Sequence, residues 1–329
     1  MKPELSAQTP YDNLSPELVL AMVERLGLRC TGGLFAMNSY ENRVYDVALE
    51  DTDNIIIKVY RPHRWTKEQI LEEHAFAAEL QADDVPVVPP QRFNGQTLHA
   101  HAGYLYALYP KRGGRAVEMH TPEDFKMIGR LAARIHNIGS REVFHHRGVL
   151  NVRTYGWDNL VYLRGSGMIP RDLMTAYDAT VTHLLKRLDE IWAGRRHVLR
   201  LHGDCHLGNI LVNQGEMFMV DLDDCLSGPA VQDLWMMANG DRHDMSRQFG
   251  WMLEGYTQFR DFDYSELQLV EPLRALRMIH YTAWLARRWN DPTFPKNFPF
   301  FAGNGYWEGH INALKEQLSA IDEPLLVQV

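Results

Sequence analysis

The chain has 329 residues, 45% of them apolar and 23% charged, ordinary globular values that exclude a disordered or collagen-like protein. At about 150 residues per domain, the length predicts two domains or one bilobal unit. The 34 basic and 42 acidic residues give a net charge of −8, which argues against a broad nucleic-acid surface but leaves room for a small anion in a local positive pocket.

Cys30, Cys205 and Cys225 are few, odd in number and far apart, so no disulfide framework is expected and a reducing, cytoplasmic setting fits. Met1 to Leu14 lacks the apolar run of a secretory signal, and no stretch reaches the 18 apolar residues of a membrane span.

Ser15-Pro16-Glu17 predicts a helix start, with Ser15 as N-cap and Pro16 in the first turn, where a missing N–H costs nothing. Leu18, Met22 and Leu26 form its apolar stripe and Gly27 ends it. Gly32-Gly33 predicts an irregular stretch. Arg43 to Leu49 and Asn54 to Tyr60 read as two strands joined by a polar turn, hence an antiparallel hairpin. Thr66 and Gln69 have capping-box spacing for a helix running to about Gln81. Pro-rich 85–90 cannot be a central strand throughout, and further strands are predicted near Thr97 and from Gly103 to Tyr109.

Composition shifts near Pro110, and Gly113-Gly114 marks a joint. The predicted division is 1–110 as an N-terminal lobe and 111–329 as a helical C-terminal lobe. Thr121-Pro122 opens a helix with Phe125, Ile128, Leu131 and Ile135 as its buried stripe. Residues 139–170 read as irregular, and helices are predicted at 171–193, 242–260, 265–289 and 305–320. One β-hairpin interrupts them, with Asn209 to Val212 and Met217 to Val220 flanking the turn 213–216. Strands first and helices after indicate an α+β fold.

The chemistry concentrates in His202-Gly203-Asp204-Cys205-His206-Leu207-Gly208-Asn209, followed by Asp221 at the end of the hairpin. Phosphoryl transfer is mainly positioning and charge neutralisation. It needs an Asp that takes the attacking hydroxyl's proton, and an Asn and a second Asp that hold Mg²⁺. Asp204 to Asn209 has the D-x-x-x-x-N spacing of protein kinases, and Asp221 stands where their metal-binding Asp stands, although Leu222-Asp223 replaces Phe-Gly. His202-x-Asp204-x-His206 could instead be a metal-hydrolase fragment, but no further zinc-type ligand motif follows. Asp223 and Asp224 read as a solvated charge pair or as contacts to a second metal.

Such a site demands a strand Lys for the phosphates and a helical Glu to pair with it. Lys58 lies in the most apolar strand, where an unpaired ammonium is costly. At about 100° per residue Glu73 falls among Ile70, Phe76, Ala77 and Leu80, whereas Glu72 points toward the rim. The turn Asn38-Ser39-Tyr40-Glu41-Asn42 precedes the hairpin, and its N–H groups and the Ser39 hydroxyl could cradle phosphate. Lys58, Arg61, Arg64 and Lys67 add a run of positive charge suited to a nucleotide triphosphate carried with Mg²⁺. No Walker, H-E-x-x-H, G-x-S-x-G or dinucleotide-binding motif is present.

His202-Gly203-Asp204 through Asn209, with Asp221, resembles the aminoglycoside-phosphotransferase and choline-kinase-like branch of the bilobal protein-kinase-like fold. Asn38 to Tyr45, Lys58 to Pro62, Gln69 to His74, Gly228 to Trp235 and Trp284 to Pro299 look closer still to the bacterial stress response kinase A family (YihE/RdoA type). The resemblance implies a cytoplasmic, ATP- and Mg²⁺-dependent Ser/Thr protein kinase of the stress response that phosphorylates itself. It implies ATP and Ser/Thr-bearing proteins as partners, with no nucleic acid or membrane, and a monomer. By the same resemblance Asp204 is the catalytic base, Asn209 and Asp221 bind Mg²⁺, and Ser39 lies in the phosphate loop. Lys58 and Glu73 form the ion pair, the stretch around Leu108 meets adenine, and Asp233 braces the catalytic loop. D-F-G and A-P-E are absent, and only residues 222–232 separate Asp221 from Asp233, too few for a long activation loop. A small-molecule kinase acting on homoserine, choline or an aminoglycoside is therefore the alternative, and a nucleotide-binding pseudokinase is disfavoured by the complete residue set.

Overall fold

The computed structural model describes residues 9–195 and 198–326; the first eight residues of the stretch read for a leader lie outside them. It resolves into two compact units, one running to Val117 and including Gly208–Asp223, the other made of Glu118–Leu207 and the chain from Asp224 onward. The hairpin assigned from sequence to the helical lobe thus packs with the first unit. Its strand Ile210–Asn213 pairs with Arg115–Ala116, and Met219 N–H donates to the Pro86 carbonyl at 2.8 Å. These long-range pairings are invisible to local composition, which had drawn the boundary between 110 and 111.

The first unit is built on a five-stranded antiparallel sheet in the order Cys30–Ala36, Arg43–Leu49, Ile55–Val59, Tyr104–Pro110, His99–His101. Gly32-Gly33 lies within the first strand, where the pairing is irregular and the register shifts between Cys30 and Leu34. Gly32 has φ +88°, and a Cβ on Gly33 would stand 2.9 Å from that of Ala48, so glycines form the bulge. Helix Pro16–Glu24 is capped by Ser15, whose Oγ accepts from Leu18 N–H at 3.2 Å. Its buried line is Val19, Met22 and Val23, with Leu18 only half-buried. That line packs with Ile55, Ile57, Val59, Tyr106 and Leu108 on one face of the sheet. Tyr60, Ala107 and Ile70 form a second cluster, to which helix Lys67–Ala82, started by its Thr66–Gln69 capping box, contributes Ile70. Lys58 pairs in register with Ala107 and Ile57 with Leu108. Because side chains alternate along a strand, Lys58 faces away from the cluster that holds Leu108.

The second unit is mainly helical. Pro122–Gly139 has Phe125, Ile128, Leu131 and Ile135 buried as expected. It crosses Arg242–Tyr256 so closely that a Cβ on Gly129 would lie 1.9 Å from the Met252 carbonyl oxygen, and one on Gly255 2.1 Å from that of Lys126. Gly129→Ala should therefore cost about 3 kcal/mol or more, at or beyond the upper range for overpacking, because backbone and not a flexible side chain blocks the methyl. Urea unfolding of the two proteins checks this. The stretch 139–170 is more ordered than its sequence indicates: a π-turn at Arg153–Trp157 leads into helix Asp158–Ser166. Its helical period was obscured by the π-turn, which shifts the apolar phase. Helices Met174–Trp192, Val270–Arg288 and Asn304–Ala320 follow the apolar periodicity. A two-stranded ladder of Leu199–Leu201 and Leu226–Gly228 flanks the Asp204 loop. No described helix is long and apolar enough to cross a membrane.

Candidate active site

In the first unit three carboxylates converge on one ammonium. Lys58 is 6% exposed, and its Nζ lies 2.9 Å from Asp223 Oδ1, 3.0 Å from Asp221 Oδ1 and 3.7 Å from Glu73 Oε1. Burial alone would lower the pKa of the amine, but Asp221, Asp223 and Glu73 outweigh it and hold that pKa well above the ordinary value, so Lys58 stays a cation. The Lys58–Glu73 pair expected from helix phase is present, and two further acids lie closer to the Lys.

Asp223 corrects the sequence reading. It is not a solvated charge but a 2% exposed residue that also pairs with Arg64 and receives the Trp65 indole N–H at 3.5 Å. The residues around it carry no signal of this, because the Arg it meets lies 159 positions away along the chain. The run of positive charge at 58–67 is compensated rather than open. Arg64 is matched by Asp223, and Arg61 Nε reaches Glu41 Oε1 at 3.0 Å.

Asp221 differs from Asp223 in exposure and backbone. Its side chain is 55% exposed, and its φ is +62°, a conformation that costs a non-glycine residue energy and concentrates at functional sites. Val220 N–H donates to the Asn209 carbonyl at 2.9 Å, so the hairpin sets Asn209 beside the residue before Asp221. An amide and an exposed carboxylate are hard oxygen donors of the kind Mg²⁺ takes. Among the described residues no group of three or more His, Cys, Asp or Glu could hold a metal, whereas Mg²⁺ on one or two protein oxygens plus phosphate requires none. Asn209 and Asp221 therefore fit that ion.

Ser39 is half-buried in the turn between the first two strands. Leu108 is not brought to the Lys58 cluster: its side chain is fully buried on the other face of the sheet, and its carbonyl accepts from Gln91 N–H at 2.7 Å.

The second unit holds Asp204 and its supports. Gly203 has φ +86°, and a Cβ there would stand 2.4 Å from the Asp224 carbonyl oxygen, so the loop is turned by a residue only glycine can supply. Asp233, 1% exposed, accepts the N–H groups of His202 at 2.8 Å and Gly203 at 2.9 Å. It also meets His136 Nε2 at 3.1 Å, and His136 Nδ1 lies 2.9 Å from the Tyr256 hydroxyl. Asp204 is itself engaged at both oxygens, by His206 Nε2 at 3.3 Å and by Arg277 at 2.8 Å. Burial would raise its pKa, but the His206 hydrogen bond and the Arg277 charge prevail and hold the carboxyl well below the usual range. Asp204 is thus ionised at neutral pH.

Glu266 supports the same region at one remove, accepting Val231 N–H at 2.9 Å two residues before Asp233. Burial pushes its pKa up to about 7, aided by Asp263 and opposed by the Val231 N–H and Arg195. A folded pKa above the unfolded one means that stability is full below about pH 4.5 and is lost as pH rises through about 7. Glu266→Gln should remove that slope and be more stable than the parent by about 3 kcal/mol at pH 8. Chemical unfolding at pH 4.5 and pH 8 measures the difference.

Comparison with known proteins follows the same lines. Residues 36–270 match the model of the phosphotransferase enzyme family. Stress response kinase A of Escherichia coli K12 is 43% identical over 316 residues, 96% of each chain. The serine/threonine protein kinase RdoA of Salmonella typhimurium LT2 is 42% identical over the same share. Among solved structures, amicoumacin kinase superposes with a TM-score of 0.75 at 20% identity, covering 99% of this chain and 98% of its own. A microcompartment-associated aminopropanol kinase gives 0.68 at 20% identity over 92% and 98%, and both likenesses establish the α+β protein-kinase-like fold. The chain belongs to the phosphotransferase enzyme family and, within it, to the stress response kinase A family: it is a kinase.

Proposed function

We propose that the protein is a Ser/Thr protein kinase of the bacterial stress response that moves the γ-phosphoryl group of Mg-ATP to a hydroxyl, its own included. The observation that carries this is the convergence of Asp221, Asp223 and Glu73 on the buried Lys58, which keeps a fixed cation for phosphate in an apolar strand. Lys58 binds phosphate oxygens, Glu73 and Asp223 hold the Lys in place, and Ser39 with its turn covers the phosphates. The stretch around Leu108 would meet adenine through its backbone, since its side chain belongs to the core. Asn209 and Asp221 would hold Mg²⁺, which when bound neutralises charge on the transferred group. Asp204 orients the acceptor hydroxyl and takes its proton. A protein acceptor is supported by the 42% identity to a relative named as a serine/threonine protein kinase.

A small alcohol is the second reading, favoured by the short segment 222–232, which offers little peptide platform. Purified protein with labelled Mg-ATP should label itself and myelin basic protein. Rapid ADP release with homoserine, choline or an aminoglycoside, and no label on any protein, would falsify the protein-kinase reading.

A further inference from the structure

Asp204 is an unusual candidate base because both its oxygens are already engaged, one by a guanidinium and one by an imidazole. Arg277 donates to Oδ1 at 2.8 Å, and His206 Nε2 stands 3.3 Å from Oδ2. Neither contact is sealed away: the side chains of Arg277 and Asp204 are 44% and 27% exposed. A guanidinium on a carboxylate lowers its affinity for a proton, so Arg277 opposes the step that Asp204 is proposed to perform, and it occupies a lone pair that the acceptor hydroxyl needs. Both conflicts disappear if the acceptor brings an anion of its own. A second carboxylate beside the hydroxyl would draw the guanidinium off Oδ1, since the single Nη1–Oδ1 bond to Asp204 can be exchanged for the two parallel hydrogen bonds that Arg makes to a carboxylate it meets side-on.

The helix that carries Arg277 suits that exchange. Val270–Arg288 contains Arg274, Arg277, Arg287 and Arg288 against the single acid Glu271. One turn beyond Arg277, Tyr281 is 39% exposed and stacks on Trp284 with ring centroids 5.6 Å apart. Arg274 is paired with Glu271 at 3.2 Å, so along the helix the exposed side chains that follow the Arg277 cation are aromatic.

We propose that Arg277 is the acceptor-reading residue, selecting Ser/Thr segments that carry an Asp or Glu carboxylate beside the phosphorylated hydroxyl. The inference rests on the reading of Asp204 as base of a protein kinase. The acceptor carboxylate takes Arg277 and the hydroxyl takes Asp204 Oδ1. The O–H bond breaks with its proton passing to Asp204, the oxygen bonds to the γ-phosphorus, and ADP leaves with the electrons of the broken P–O bond.

The test uses the full-length protein with Mg-ATP and Ser peptides in a neutral frame, with Asp or Lys placed at each of three positions on either side. The best Asp peptide should exceed the neutral one by about tenfold or more in kcat/KM, a plausible gain for one charge-assisted pair, and Lys peptides should fall below it. Arg277→Met should bring the Asp-to-neutral ratio to about one, and Arg277→Glu should favour Lys peptides. Each ratio is taken within one protein, so a shared loss of turnover cancels. Binding of the Asp peptide with Ala in place of Ser is measured in parallel and should weaken about tenfold in Arg277→Met even if that variant has no turnover. Peptide phosphorylation with no Asp preference, or a preference and affinity unchanged in Arg277→Met, overturns the inference and leaves the protein-kinase reading standing. Transfer to no peptide while a free alcohol is phosphorylated removes the protein-kinase reading itself, and the inference with it.

Discussion

Asp204→Asn should lower phosphoryl transfer about 100- to 10,000-fold, the usual span for a lost general base, while nucleotide affinity stays close to that of the parent. The change keeps the shape of the side chain and removes its charge. The Gly203 turn and the Asp233 hydrogen bonds belong to the backbone beside it, so the loop should hold its form. Asn cannot accept the acceptor's proton, and it no longer attracts Arg277. Single-turnover transfer together with displacement of a fluorescent nucleotide separates the two quantities. Turnover equal to the parent's would remove Asp204 from the reaction. A parallel fall in nucleotide affinity would instead assign it to binding.

Asp233→Ala should destabilise the second unit by about 3–5 kcal/mol at pH 7, the range for removing one partner of a buried charged network. The two N–H groups of His202 and Gly203 and one nitrogen of His136 lose their shared acceptor. Burial works to raise the Asp233 pKa, but the His136 hydrogen bond and charge, with His202 and the Gly203 N–H, bring it below the ordinary value. The unfolded chain therefore takes up the proton first. The stability due to Asp233 is complete above about pH 4, near the unfolded carboxyl pKa, and is lost as pH falls through the lower folded value. The gap between parent and variant in urea midpoint should accordingly be constant from pH 7 to pH 5 and narrow in stronger acid. A gap that widens toward acid would mean that Asp233 is protonated in the fold and that its network is held another way.

The sequence was most legible where chemistry and local periodicity coincide. Lys58 in an apolar strand demanded a counter-charge, and the phase of the following helix selected Glu73. Thr66 with Gln69 and Thr121 with Pro122 announced two helix starts, and the structure closes both with capping boxes spanning three residues. Legibility failed where a residue's role depends on a partner far along the chain. Asp223 meets Lys58 and Arg64 across about 160 positions, and no window around it distinguishes such an acid from a solvated one. Arg277 lies on a helix predicted at 265–289, yet its contact with Asp204 has no local signature. The hairpin was legible from the turn Asn213-Gln214-Gly215-Glu216 between two apolar runs, and the structure places Gln214 and Gly215 at positive φ. Its membership of the first unit depends on pairing with Arg115–Ala116, which belongs to tertiary structure alone.

The placement of that hairpin gives the molecule a modular inheritance. The backbone leaves the second unit between Leu207 and Gly208, so the D-x-x-x-x-N motif is cut by the boundary. Asp204 and Arg277 fall on one side, and Asn209, Asp221 and Lys58 on the other. If Asp204 and Arg277 meet the acceptor as proposed, substitutions that alter acceptor choice can accumulate in the second unit while the residues proposed to hold the nucleotide stay fixed. A hybrid made to transplant acceptor choice from a relative must be spliced at three junctions, 117/118, 207/208 and 223/224. A hybrid with a single crossover at the apparent lobe boundary would carry the foreign hairpin, with its own Asn and Asp, into the wrong half.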